Sequence, residues 1–290
     1  MSVIMPDIYS IIDKDDVEEI FKETIIFPSG RLEAFENKKQ ELEEAFKDFK
    51  GSSMEGILYI DKLYPNEAIV KSSCEEAHKQ ASGFIKKVYL PKVESGELLE
   101  EQAKKIFKYF DAAAYAHDIA KTTFRLEIIY DMVKLNEFDD EREMRFLKAH
   151  PIISFYLLRN IAPFKQLHYI ILFHEEFYES HKAFYERTGM DVDFSNMGPV
   201  ERFVNDELRK HGIVDEMTEI SGDNIPLGAR LMAIPDAHSS MIRRQKTEEQ
   251  IIKALTEEEK EKPTEDGRYK RKEFDSKLVR IYLAMERKSA

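Results

Sequence analysis

The sequence predicts a mainly α-helical protein, made of a helical bundle and a small N-terminal α or α+β module. Two observations favour this fold class. Apolar residues recur along most of the chain at the three- and four-residue spacing that marks one face of a helix. The 290 residues include only 11 Gly and 10 Pro, and this composition favours helices over turn-rich β structure.

Residues 1–68 form the predicted N-terminal module, for which a regulatory role is one expectation. Charged amphipathic patterns predict helices over 15–22 and 31–49, and the Pro and Gly of "IIFPSG" separate them. The segment "GILYIDKLY" at 56–64 alternates and is rich in Ile and Tyr, which favours a short strand. The module contains no histidine, so we expect any metal chemistry to lie elsewhere.

Residues 69–290 form the second predicted domain, and all eight histidines lie in it. Its pattern is helical with short breaks. Helices are predicted over 72–89, 96–117 and beyond, 122–136, 141–148, 151–160, 164–180, 200–211, 227–243, 247–258 and 274–287. Pro151 in the break "HPII" can begin a helix, because a proline in the first turn gives up no helical hydrogen bond.

The charge and the cysteine content exclude several classes of protein. The formal net charge is −12, and such an acidic surface argues against a general binder of nucleic-acid polymers. The single Cys74 excludes an internal disulfide and fits a reducing compartment. No apolar run approaches the ~18–20 residues of a membrane span, and no signal peptide is recognisable. We therefore expect a cytoplasmic protein.

Ionisable residues interrupt five apolar helical stretches of the second domain. They are His78, the adjacent pair His117 and Asp118, His150, His174 and Asp236. Burying an imidazole or a carboxylate without a partner is costly. Convergence on a divalent cation removes that cost, because carboxylates and neutral imidazoles then serve as ligands. The mixture of the two suits Fe, Mn or Zn better than Ca or Mg alone.

Each of these residues also has a simpler interpretation. A single histidine on an apolar face is more often a hydrogen-bonded core residue than a ligand. Asp236 follows Pro235 and can cap a helix, and His150 before Pro151 can belong to a helix start. As an ordered set on separate helical segments, however, the residues are typical of a site in the centre of a helix bundle.

At this point the motifs resemble a known superfamily. His78, "HD" at 117–118 and the distant Asp236 resemble the H…HD…D signature of the HD-domain metal-dependent phosphohydrolases. "AAAYAHDIAK" is similar to the HDIGK segment of the HD-GYP subfamily. "LKAHPIISFYLLRNI", "FHEEF", "NIPLGARLMAIPDAHSSM" and "EFDSKLVRIYLAM" resemble further motifs of that subfamily. The resemblance covers about residues 70 to 288.

The resemblance implies an HD-domain helical bundle with a two-metal centre, holding two divalent ions, Fe or Mn. The implied metal ligands are His78, His117, Asp118, His150, His174, Glu175 and Asp236. Asp118 would bridge the two ions, and Glu175 stands where the subfamily has a second histidine. The implied catalytic residues are Asp118 and Lys121, and the implied phosphate contacts are Lys121, Arg243 and Arg244.

The chain departs from the subfamily in four places. It has no GYP motif, and an insertion at 177–222 takes the place of the loop that borders the substrate in the family. Ala120 replaces the Gly of HDIGK, and Ser239 replaces a second Asp. Cys74 stands where members with three metals have a Glu, so a third metal is not expected.

The implied activity is hydrolysis of a cyclic dinucleotide, chiefly cyclic di-GMP. A metal-bridged hydroxide would attack phosphorus in line with the leaving 3′ oxygen, while Asp118 orients it and Lys121 stabilises charge on the non-bridging oxygens. The alternative is a domain with little or no turnover that binds metal or nucleotide and acts in signalling or as a scaffold. A third interpretation is another HD phosphohydrolase, acting on nucleotides or phosphate monoesters. A protein partner or a dimer is expected through the N-terminal module.

Overall fold

The computed structural model describes residues 11–12, 14–25, 27–28, 30–47, 56–124, 141–161, 164–165, 167–193, 196–213, 219–264 and 267–289. Over these ranges the chain forms helices and no strands, which confirms the predicted mainly α fold. No helix in the same ranges has the length and apolar character that a membrane crossing requires.

Thirteen α-helices are formed within the described ranges. They are α1 (Asp15–Thr24), α2 (Arg31–Phe46), α3 (Gly56–Leu63), α4 (Ala68–Glu94), α5 (Glu100–Ala116), α6 (Glu141–Lys148), α7 (His150–Leu158), α8 (His168–Leu172), α9 (His181–Thr188), α10 (Pro199–Phe203), α11 (Leu227–Arg243), α12 (Glu248–Thr256) and α13 (Ser276–Ser289). Short 3₁₀ segments follow α5 (Ile119–Thr123), precede α11 (Gly222–Asn224) and follow α12 (Glu258–Glu261). The chain continues beyond α10 as a π-helical segment, Val204–Leu208.

Small residues allow close packing at the centre of the bundle. α4 lies along α5 on one face and along α11 on another. Four alanines near the end of α5 are buried: Ala112, Ala113, Ala114 and Ala116. Their short side chains let α3, α4 and α8 approach the end of α5, and that end carries the His-Asp pair.

The N-terminal helices share a core with the rest of the chain. The Phe21 ring on α1 stacks on Tyr156 of α7, with ring centroids 4.1 Å apart. The Arg31 guanidinium donates to the Thr123 carbonyl over 3.0 Å, and α2 contacts both α7 and the 3₁₀ segment Ile119–Thr123. Packing is therefore continuous across residue 68. The division of the chain there, the regulatory role and the partner or dimer contact stay predictions.

Two predicted elements differ from the observed ones, and a third lies largely outside the described residues. The predicted strand at 56–64 is wrong: the segment forms α3, because Ile60, Leu63 and Tyr64 are all buried and have the spacing of one helix face. The helix predicted over 164–180 is also wrong in length, since among the described residues of this range the α-helix spans only His168–Leu172. The helix predicted over 122–136 lies largely outside the described residues, which end at 124 and resume at 141.

Buried ion pairs and hydrogen bonds join the insertion at 177–222 to the C-terminal part of the chain. Arg271 and Glu201 are both fully buried, and Arg271 Nη1 lies 2.6 Å from Glu201 Oε2. Glu201 Oε1 lies 3.0 Å from His181 Nε2 and accepts the Ile220 amide over 3.1 Å. A charge inside a protein is tolerated only when partners of this kind satisfy it. The insertion is thus a folded part of the domain in its described ranges.

Glu176 fixes the start of α10. Its carboxylate accepts the amides of Val200 and Glu201 over 2.6 and 3.4 Å, at a helix start where such amides have no helical acceptor. Gly198 makes this possible, since a Cβ there would lie 2.1 Å from Glu176 Oε2.

The Gly198→Ala variant is expected to lower the free energy of unfolding by roughly 1–3 kcal/mol, because the added methyl displaces a buried carboxylate from its amide donors. Urea unfolding followed by circular dichroism measures the change. Gly83→Ala is the matched control: its Cβ would lie 3.4 Å from the flexible Met285 side chain, and alanine is the better helix former inside α4. Equal loss of stability in both variants would contradict the role given to Gly198.

Candidate metal centre

The His-Asp pair lies where α5 ends, and not in the middle of a helix. α5 ends at Ala116, and Asp118 has left the helical conformation with φ −100° and ψ 15°. The tighter 3₁₀ segment follows at once. Both side chains of the pair are fully buried. Because the helix ends here, both side chains can face the neighbouring helices. In a continuous helix, the two side chains would point in different directions around the helix axis.

Three further elements bring their side chains to the same place. His150 is the first residue of α7, with Pro151 in the first turn as predicted. His174 follows the short α8 and is buried. Asp236 lies inside α11, directly after Pro235, and retains some exposure. His150, His174 and Asp236 therefore converge on the His-Asp pair.

The ligand-type atoms of these residues lie within van der Waals distance of one another. His117 Nε2 is 3.2 Å from Asp236 Oδ1 and 3.3 Å from Asp118 Oδ2. His150 Nε2 is 3.2 Å from Asp118 Oδ1. His150 Nε2 and His174 Nε2 are 3.3 Å apart. Asp118 thus faces a histidine with each of its oxygens.

The tautomers of the three histidines follow from their other ring nitrogen. In His117, His150 and His174, Nδ1 lies 2.8, 2.9 and 2.6 Å from the main-chain carbonyl three residues earlier. A carbonyl only accepts, so each Nδ1 carries the proton and donates. In the neutral rings the Nε2 lone pairs then point at each other and at carboxylates. This is the orientation that backbone acceptors impose on metal-binding histidines.

The residues present fit a metal ion. Asp118 Oδ1 is buried and accepts no hydrogen bond of good geometry, which leaves a charged oxygen facing the cluster. Among the described residues, three groups have one ligand atom each, all within 4.8 Å of one another: His117 with His174 and Asp236; Asp118 with His150 and His174; and Cys74 with His117 and Asp118. Imidazole and carboxylate together suit transition metals. The cluster could hold a metal ion, and its geometry does not select which one.

The electrostatics of the cluster favour a neutral His174 and an ionised Asp118. Burial, and then the positive charges of His117 and His150, lower the pKa of His174 to about 3, so its ring is neutral. Burial alone would raise the pKa of Asp118, but the charges of His117 and Lys121 hold it well below its usual value. Burial alone would lower the pKa of His117, and the carboxylates of Asp118 and Asp236 raise it instead. A proton on His117 thus balances the carboxylates in the way that a cation would.

The structure does not bring His78 into this cluster. Its Nε2 lies 2.9 Å from Asp111 Oδ1 and 3.1 Å from Ser82 Oγ, and its ring stacks on Tyr115. The predicted ligand role of His78 has no support in this arrangement, because Asp111 on α5 already binds the imidazole. Cys74, one helical turn earlier on α4, lies beside His117 and Asp118 instead.

The remaining predicted site residues lie around the cluster. Lys121 Nζ forms an ion pair with Asp118 Oδ2 over 2.6 Å. Glu175 Oε1 is 3.6 Å from His150 Nε2, with its side chain 39% exposed. Arg243 donates to Ser239 Oγ over 3.3 Å, and Arg244 lines a cavity at the metal centre.

This cavity of about 470 Å³ opens onto the cluster. His174, Glu175 and Asp236 belong to its lining, and so do Lys148, Arg202 and Arg244. Burial, and then the positive charges of Arg202 and Lys270, lower the pKa of Lys148. The lining of the cavity thus carries both carboxylates and cations.

Three of these neighbours were not predicted as site residues. Cys74 could have been proposed as a ligand, because it lies one turn from His78 on the same helix face. Lys148 lies two positions before His150, and this proximity in sequence only weakly indicates a site residue. Arg202 lies in the insertion, and no pattern in the sequence marks it.

Fold and site together define the class of protein: over its described ranges, an all-helical chain with a buried histidine and aspartate cluster that could hold a metal ion. Comparisons with models of protein families, with curated proteins and with solved structures found no match for this chain. The HD-GYP resemblance therefore rests on the sequence motifs alone and stays a prediction.

Proposed function

We propose that the chain is a metal-dependent phosphodiesterase that hydrolyses a cyclic dinucleotide, with cyclic di-GMP as the first candidate substrate. One observation carries the proposal. Three imidazole Nε2 atoms and the carboxylates of Asp118 and Asp236 converge beside a cavity large enough for a small ligand. The HD-GYP motifs at the same residues support the choice of reaction.

The residues have distinct roles in this proposal. His117, Asp118 and Asp236 would hold one divalent ion, and Asp118 with His150 and His174 would hold another, with Glu175 beside them. Ions bound there would supply a Lewis acid that lowers the pKa of water toward neutrality.

Side chains of the protein orient the nucleophile, stabilise charge and bind the substrate. Asp118 orients the nucleophile from a fixed, buried position. Lys121, held by Asp118 at 2.6 Å, stabilises the negative charge that develops on the non-bridging phosphate oxygens. Lys148, Arg202 and Arg244 make the cavity attractive to an anionic substrate in a chain of net charge −12.

The test is hydrolysis of cyclic di-GMP by the full chain loaded with Mn or Fe, with the products separated by chromatography. We expect a linear dinucleotide or a mononucleotide. His174→Ala is the matched inactive variant, and His211→Ala, which changes a histidine outside the cluster, is its control. Turnover that does not depend on added metal or on His174 would contradict the proposal.

The same experiment separates the alternatives. The insertion at 177–222 and the missing GYP motif favour a signalling or scaffold domain, for which nucleotide binding without turnover is expected. Hydrolysis of 4-nitrophenyl phosphate, with bis(4-nitrophenyl) phosphate left intact, would select a monoesterase of the HD type.

A further inference from the structure

Two cations that line the cavity come from elements outside the metal cluster. Lys148 is the last residue of α6, and Arg202 lies in α10. Both line the cavity together with His174 and Asp236. They place positive charge beside the cluster in a chain whose formal net charge is −12.

Cations are brought together in the lining of this cavity. Burial lowers the pKa of Arg202, while the charges of Asp206 and Glu176 act in the opposite direction. Lys148 is exposed and lines the same cavity. Bringing cations together around one cavity costs free energy. An anion in the cavity would recover it.

The position of Arg202 is fixed by the insertion. Its Nη2 donates to the Met197 carbonyl over 3.1 Å, and the start of its helix is capped by the carboxylate of Glu176. Glu176 directly follows Glu175, which lines the cavity near His150. These hydrogen bonds join the insertion to the segment that carries His174. The Arg202 guanidinium therefore has a fixed position relative to the cluster.

We propose that Lys148 and Arg202 form a phosphate-binding subsite, completed by the insertion, which holds a phosphate other than the one at the metal centre. This inference rests on the proposed function. An Arg guanidinium matches phosphate oxygens with parallel N–H donors, and a Lys ammonium adds a point charge. The substrate class that fits is a phosphodiester with a second phosphate group, as in a dinucleotide. A diester with a single phosphate would gain nothing from the subsite.

The subsite can be tested without turnover. Inorganic phosphate is titrated into the full chain by calorimetry, with and without prior removal of metal by chelation, and circular dichroism monitors the fold. Arg202→Ala and Lys148→Ala are each expected to weaken phosphate binding about tenfold or more. Arg209→Ala is the matched control, since Arg209 is exposed on the same helical stretch and does not line the cavity.

A second measurement keeps this inference distinct from the proposed function. In metal-loaded Arg202→Ala and Lys148→Ala, the KM for cyclic di-GMP should rise about tenfold more than the KM for bis(4-nitrophenyl) phosphate, which has no second phosphate. Phosphate binding equal in all four proteins, or absent in the wild type, overturns the subsite. Phosphate binding that depends on Arg202 without any diester hydrolysis upholds the subsite and overturns the proposed function.

Discussion

The Asp118→Ala variant is expected to lose bound metal and phosphodiesterase activity together. The two oxygens of Asp118 face two different histidines, His117 at 3.3 Å and His150 at 3.2 Å. Its removal takes a donor from both ligand groups that contain it. Loss of an outer-shell partner already weakens metal binding by about 10–100-fold, so loss of a ligand should exceed that. Elemental analysis of the purified protein measures the metal content.

Two further variants make this result interpretable. Asp118→Ala also leaves the buried Lys121 ammonium without its carboxylate, so the fold must be checked by circular dichroism. Asp118→Asn keeps the shape and one neutral oxygen, and we expect it to fold and still bind metal poorly. Asp223→Ala is the control, because Asp223 is 88% exposed and pairs only with Arg230 among the described residues. Unchanged metal content in folded Asp118→Asn and Asp118→Ala would refute the assignment.

The Arg271→Ala variant is expected to lose about 3–5 kcal/mol of unfolding free energy, because it leaves the Glu201 carboxylate buried without its cation. Arg271 is fully buried, and it also donates to the carbonyls of Asn196 and Glu179 over 3.1 and 2.8 Å. Those bonds join the C-terminal part of the chain to the insertion. Urea unfolding measures the loss.

The companion variants test the cause of this loss. Arg280→Ala removes an exposed arginine and should change the unfolding free energy by less than about 0.5 kcal/mol. The double variant Arg271→Ala with Glu201→Gln should be more stable than Arg271→Ala alone, since the unpaired charge is gone. A double variant that is less stable by the sum of the two single losses would mean that the pair does not act as a unit.

The fold class and the place of the cluster could be predicted because both depend on local patterns. Three-and-four spacing predicts helices wherever one face is buried. His117 and Asp118 stood out because they follow four buried alanines, and His174 because it follows the apolar run of α8. Polar groups at such positions demand a partner, and the structure brings these groups together.

The errors have physical causes that a local pattern does not contain. The Ile and Tyr residues of 56–64 favoured a strand, but Ile60, Leu63 and Tyr64 are buried on one helix face, and this helix packs against α5. The ligand role of His78 stays a prediction, and the contact of its ring with Asp111 on another helix is one that the sequence pattern does not contain. Such contacts join residues far apart in sequence.

Arg202 and Arg271 illustrate the same limit. Each is one arginine among many charged residues, which make up 34% of the chain. Arg271 is distinguished only by complete burial against Glu201, and Arg202 only by its place on the cavity wall. Both properties arise from tertiary packing of the insertion.

The spread of the clustered residues along the chain has a consequence for survival of the fold. His117 and Asp236 meet at 3.2 Å although 119 positions separate them, so an ion bound between them would cross-link distant parts of the polypeptide. Such a link exists only in the folded chain, because closing so long a loop in the unfolded chain is entropically costly. At a free concentration one hundred times its Kd, an ion adds about 2.7 kcal/mol to stability. The free metal concentration would then govern the unfolding free energy of the protein as well as its chemistry.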